Sequence, residues 1–130
     1  MKIKIKPPKY RRYKYGDKYI NSLLCRLRVG RSYLNADSYK IGHSDTDLCE
    51  CGQKETVAYF FVCRKYLAQQ EILNSKFNDI LPKFKSFSKA KQVEIFLCGY
   101  NLDSEEFDCR NIPMTFSVQK YILSTKRFNQ

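Results

Sequence analysis

The sequence predicts an all-α protein: a small bundle of about five helices with an irregular cysteine-containing knuckle and a basic N-terminal arm. Three observations lead there. Apolar residues recur at three- and four-residue spacing through most of the chain. No segment offers the paired, alternating runs that a sheet requires. The periodic stretches are separated by Gly, Pro and capping residues, which stop and start helices. A chain of 130 residues implies one domain, large enough to bury a core without staples. Hydrophobic residues make up 43% and aromatics 15%, enough apolar mass to exclude wholesale disorder.

The N-terminal arm is assigned to residues 1–18 and the helical domain to 19–130, with the knuckle at 49–63. In the arm, Lys2, Lys4, Lys6, Lys9, Arg11, Arg12 and Lys14 precede the first acid, Asp17, with Tyr10, Tyr13 and Tyr15 interleaved. Pro7-Pro8 blocks a regular helix and Gly16-Asp17 reads as a turn, so an extended basic segment is expected. From Tyr19 the period becomes helical: Ile20, Leu23, Leu24 and Leu27 share a face, Arg26 and Arg28 lie elsewhere on the surface, and Gly30 ends the element. A second short helix is expected from about Ser32 to Lys40, stopped by Gly42.

After the irregular stretch from Ser44 to Lys54, helical signal returns near Glu55 and is expected to run on past Cys63. Tyr66, Leu67, Ile72, Leu73, Phe77, Ile80 and Leu81 suit one buried stripe, and Pro82 ends it. Ser88 is a good N-cap for a helix carrying Val93, Phe96 and Leu97 to Gly99. An acidic loop from Asn101 to Arg110 follows. A last helix begins at Asn111 or Ile112, with Asn111 as cap, Pro113 in the first turn, and Met114, Val118, Tyr121, Ile122 and Thr125 on the 3.6 period.

Lys and Arg number 24 against 13 acids, a formal charge of +11 with a pI near 9.4. That balance attracts polyanions, nucleic acid first and an anionic membrane surface second. The longest wholly apolar run, Val57 to Cys63, is far too short to span a bilayer, and Met1 to Pro8 lacks the apolar centre of a signal peptide. The expected location is therefore the nucleus or cytoplasm, where cysteines stay as thiols or bind metal. Cys49-x-Cys51 followed by Cys63 is the one constellation with metal-site character, because a Cys-x-Cys-Gly turn lets two thiolates face a common point. Tetrahedral zinc needs a fourth donor. His43, the single histidine, and Glu55 are the candidates. Cys25 and Cys98 sit in apolar helical runs and read as core; Cys109 falls in the acidic loop with no motif around it.

Taken in order, these motifs resemble a known family. Asn21 to Asn35 with its Leu24-Cys25-Arg26-Leu27-Arg28 core, Tyr39 to Gly42, Leu48-Cys49-Glu50-Cys51-Gly52, Glu55-Thr56, Tyr59 to Cys63 and Tyr66 are similar to the C-terminal tail of non-LTR retrotransposon reverse transcriptases. The resemblance covers residues 8–66 by motif and the remainder more loosely. It implies a zinc-knuckle-like element of Cys-Cys-His-Cys type that helps an upstream enzyme handle RNA or target DNA. Carried over, Cys49, Cys51 and Cys63 are three of its ligands, and the histidine position falls on Ala58, whose methyl cannot bind metal.

No catalytic apparatus accompanies these motifs. Reverse transcription requires paired aspartates holding two magnesium ions; Tyr15-Gly16-Asp17-Lys18 lacks the second acid. The acids from Asp103 to Asp108 have no evident basic or histidine partner and read as a solvated loop. There is no Gly-rich phosphate loop or nucleophile elbow. The expectation is a non-catalytic module that grips RNA or DNA without sequence preference and takes no small-molecule substrate. The arm from Lys2 to Tyr15 and the Arg26, Arg28 and Arg31 cluster would supply phosphate contacts and base stacking. Other domains of a retroelement protein are the expected protein partners. A protein-interaction or structural domain, or a non-functional remnant of a retroelement, is the alternative.

Overall fold

A computed structural model describes residues 18–128. Residues 1–17 of the basic arm, with the candidate contacts Lys2, Lys4, Lys6, Lys9, Tyr10, Arg11, Arg12, Tyr13, Lys14 and Tyr15, lie outside the described residues, while Lys18, assigned to the arm, opens the first helix. Among those described there is no strand, only an isolated antiparallel bridge between Leu48 and Lys54. The helices are α1 (Lys18–Val29), α2 (Asn35–Lys40), the single turn α3 (Val57–Phe60), α4 (Leu67–Ile80), α5 (Lys89–Cys98) and α6 (Asn111–Thr125). Short 3-10 turns precede and follow α4, at Arg64–Tyr66 and Pro82–Ser86. The all-α expectation holds. No helix of the described residues is long and apolar enough to cross a membrane.

Packing centres on α4 against α6, with α1 resting on α5 and α6. Helix α1 buries Ile20, Leu23, Leu24 and Leu27, as its period predicts. Arg28 corrects the expectation of a surface residue: it is buried, and its Nε donates to the carbonyl of Leu97. One position past Leu27 and four past Leu24, it lies on the apolar face. The last carbonyls of α5 have no partner within that helix and carry the negative end of its dipole, so they accept a guanidinium readily. Cys25, expected in the core, is exposed instead, because one residue past Leu24 turns it about 100° away.

Helix α2 starts three residues later than expected. Ser32 stays outside it, donating to Asp37 Oδ2 at 2.6 Å and accepting from Leu34 N at 3.2 Å. The helix expected to pass through Cys63 is broken there. Phe61 N and Val62 N bond back to Ala58 and Tyr59, and Cys63 is extended at φ −62°, ψ 127°. That break resets the helical phase, so Leu67 and Ile72 face solvent while Gln70, Leu73 and Phe77 form the buried stripe of α4. Ser88 caps α5 as predicted, accepting from Lys91 N at 3.2 Å.

Asn111 does not cap α6. Its Oδ1 accepts from Tyr100 N at 2.7 Å and its Nδ2 donates to Tyr100 O at 2.8 Å, fastening the end of α5 to the start of α6. The fit requires glycine at position 99: φ is +103°, and a Cβ there would stand 2.8 Å from Asn111 Oδ1. The acidic loop also departs from expectation. Asp108 has a partner in Arg110, with Nη2 to Oδ2 at 2.7 Å and Nε to Oδ1 at 3.0 Å, and this holds its carboxyl down at about 2.

The core is aromatic. Phe60 packs edge-on against Phe61, Tyr66 and Tyr121 at 5.3–5.6 Å between centroids, and Phe61 stacks on Phe96 at 4.9 Å. Phe77 meets Phe84 and Phe96 at 5.0 and 4.9 Å. The buried Tyr121 hydroxyl donates to Phe60 O at 2.6 Å. Phe60 and Phe61, which carry the knuckle into this core, therefore fix the position of Tyr59 and Cys63 on either side of them.

Candidate metal centre

The knuckle is built from short-range backbone bonds. Cys49 N donates to Gln53 O at 2.6 Å and Gly52 N to Cys49 O at 2.9 Å, closing a tight turn. Gly52 has φ +90°, a conformation open to glycine, and it lets the chain reverse directly after Cys51. The turn leaves Cys49 and Cys51 on the side facing α3. Thr56 then caps α3, its Oγ1 accepting from Tyr59 N at 3.1 Å, and the buried Phe60–Phe61 pair brings the chain to Cys63. Gln70 on α4 donates to the Cys63 carbonyl at 2.7 Å, holding that residue extended.

The three sulfurs converge. Cys63 Sγ lies 3.8 Å from Cys49 Sγ and 3.8 Å from Cys51 Sγ, and all three fall within 4.8 Å of one another. Zinc–sulfur bonds of about 2.3 Å at tetrahedral angles place ligand sulfurs about 3.8 Å apart, so the spacing suits a common cation. Cys49 and Cys63 are buried and Cys51 is half-buried. The Tyr59 hydroxyl lies 2.6 Å from Cys51 Sγ. Its hydrogen bond brings the Cys51 thiol down to about 7, and the same contact drives the Tyr59 phenol well above its usual range. Burial pushes the Cys49 thiol up. The Tyr59 contact thus favours the thiolate at Cys51, whereas burial favours the neutral thiol at Cys49.

The fourth donor suggested by the sequence is not here. Among the described residues, the three cysteines are the group of His, Cys, Asp and Glu ligand atoms gathered closely enough for a metal, and His43 is not among them. His43 is exposed in the loop after α2, its N–H bonded to Ser38 O at 2.9 Å. Glu55 is committed elsewhere. Its buried carboxylate accepts from Arg127 Nη2 at 2.6 Å, Arg127 Nε at 2.9 Å and Asn35 N at 2.6 Å, which clips the knuckle to α2 and to the end of α6. Ala58 sits in α3, half-buried against the core. The sequence reading did not single out Tyr59, a phenol four residues before Cys63 whose hydroxyl the structure sets against Cys51.

Of the predicted basic cluster, Arg26 and Arg31 are exposed and Arg28 is not. The Arg26 guanidinium lies 5.2 Å above the ring of exposed Tyr33, and Arg31 N bonds to Arg26 O at 3.0 Å across the end of α1. Exposed Tyr39, Lys40 and Ile41 follow at the end of α2. No protein-family model, curated protein or solved structure matches this chain.

Proposed function

We propose that the chain is a non-catalytic, nucleic-acid-binding module whose knuckle is held by zinc, of the kind found in the tail of non-LTR retrotransposon reverse transcriptases. The observation that carries this reading is the convergence of the Cys49, Cys51 and Cys63 sulfurs within 4.8 Å, with Cys63 Sγ at 3.8 Å, the edge length of a zinc tetrahedron, from each of the other two. Three thiolates bind zinc strongly and bring three negative charges, so they select a borderline-soft divalent cation over magnesium or calcium. When bound, the ion would cross-link the 49–52 turn to the end of α3, a structural rather than a chemical task.

The charge of +11 supports the nucleic-acid half, and Arg26 over exposed Tyr33, next to Arg31, gives it a local form. A guanidinium stacked on an aromatic ring can meet a phosphate while the ring edge receives an unpaired base. Phosphate contacts and ring stacking carry no base-edge information, which fits sequence-tolerant binding in the nucleus or cytoplasm.

Metal analysis of the purified chain tests the first half: about one zinc per chain is expected, abolished by Cys49→Ser. Less than about one zinc per several chains defeats it. Filter binding to single-stranded RNA and DNA tests the second. Affinity should fall with salt by about tenfold between 50 and 200 mM for every two phosphates contacted. An affinity indifferent to salt, or no retention at low salt, overturns it. Deleting residues 1–15 should weaken binding and leave the helical content unchanged.

A further inference from the structure

We infer that Tyr59 is the fourth ligand of the thiol site, its phenolic oxygen closing a tetrahedron with the three cysteine sulfurs. This rests on the zinc reading above and concerns the corner that the cysteines leave open. Three sulfurs define one face of a tetrahedron, and the remaining corner must be reached by a donor already close to that face. Among the described residues no fourth His, Cys, Asp or Glu reaches it, and Glu55 is held by Arg127 and Asn35. The Tyr59 hydroxyl is 2.6 Å from Cys51 Sγ, which is itself 3.8 Å from Cys63 Sγ.

The tyrosine is placed there from both sides. Its own N–H is bonded to the Thr56 cap, and its neighbour Phe60 is locked among Phe61, Tyr66, Tyr121 and Phe128. The ring therefore springs from a fixed backbone and points its oxygen at Cys51 Sγ. In a zinc tetrahedron with a Zn–O bond of about 2.1 Å, oxygen and sulfur ligands stand about 3.6 Å apart. The phenol would have to draw back from Cys51 by about 1 Å, which a small side-chain rotation supplies without moving α3. Zinc accepts an oxygen donor beside thiolates, and a donor supplied by the protein spares the site an open, exchangeable water position of the sort catalytic zinc keeps.

The test is titration of the full chain with Co²⁺ and competing Zn²⁺, comparing the unmodified protein with Tyr59→Phe and Tyr59→His. Expected are a tetrahedral Co²⁺ spectrum for the unmodified chain and an affinity about tenfold or more lower in Tyr59→Phe, with an altered visible band. Tyr59→His should recover the affinity, with a spectrum shifted toward a nitrogen ligand. Metal-free helical content, read by circular dichroism, should match in all three. An unchanged affinity and spectrum in Tyr59→Phe would assign the fourth corner to water and overturn the inference. Equal loss in Tyr59→Phe and Tyr59→His would also overturn it, since packing rather than a donor atom would then be at stake. If the unmodified chain takes up neither metal, the zinc reading itself fails, a result separate from any difference between the variants.

Discussion

The aromatic core and the cysteine knuckle are neighbours joined by two phenylalanines, yet they are held by different physics. In the core, Phe77, Phe84 and Phe96 are buried and touch ring to ring at 4.9–5.3 Å, so stability there is area removed from water plus close packing. In the knuckle, Glu50, Gly52, Gln53 and Lys54 are exposed, and order comes from a handful of directional contacts: the Cys49–Gln53 turn, the Thr56 cap and the Glu55–Arg127 clip. A core of many weak contacts depends on volume. A knuckle of few strong ones depends on particular atoms, and this is where a cation would add most.

Phe77→Ala should produce the largest effect. The side chain is fully buried between two rings, so its loss should cost about 3–5 kcal/mol in urea denaturation. A cost under about 1 kcal/mol would show that the core collapses around the gap and is not the rigid partner in this comparison.

Arg127→Ala comes next. It leaves the Glu55 carboxylate buried with the Asn35 N–H as its remaining donor. Because Arg127 is itself partly open to water, the expected loss is about 2 kcal/mol, below that of a fully buried pair. Hydrogen exchange should locate the damage in residues 33–56 more than in α4 and α5. Uniform loss of protection would erase the distinction between the two regions.

The smallest effect concerns one thiol and sharpens the account of the knuckle. In chelator-treated protein, Cys51 is ionised above about 7, so its alkylation should accelerate as pH rises through that value. Cys49, raised by burial, should lag behind it. Tyr59→Phe removes the hydrogen bond to the thiolate and should move the Cys51 midpoint upward, as mass spectrometry of alkylated peptides across a pH series would show.

Much of the fold was legible residue by residue. The α1 stripe of Ile20, Leu23, Leu24 and Leu27, the Ser88 cap and the extent of α5 all followed from spacing and local hydrogen-bond chemistry, which act over a few residues. The errors came where one turn changed the phase. The break at Phe61–Cys63 exposed Leu67 and Ile72, and the apolar face of α1 took in Arg28 because a carbonyl of α5 was waiting for it.

The site divides the same way. The sequence by itself determined that Cys49, Cys51 and Cys63 form the one close set of metal-type residues, three donors where a tetrahedral site takes four. Tertiary structure alone decided that the three sulfurs meet, that Glu55 is spent on Arg127 seventy-two residues away, that His43 stays outside and that Tyr59 points in. The reason is physical: local periodicity tells which face of an element a side chain occupies, but its partner depends on how the aromatic core docks that face against segments distant in the chain.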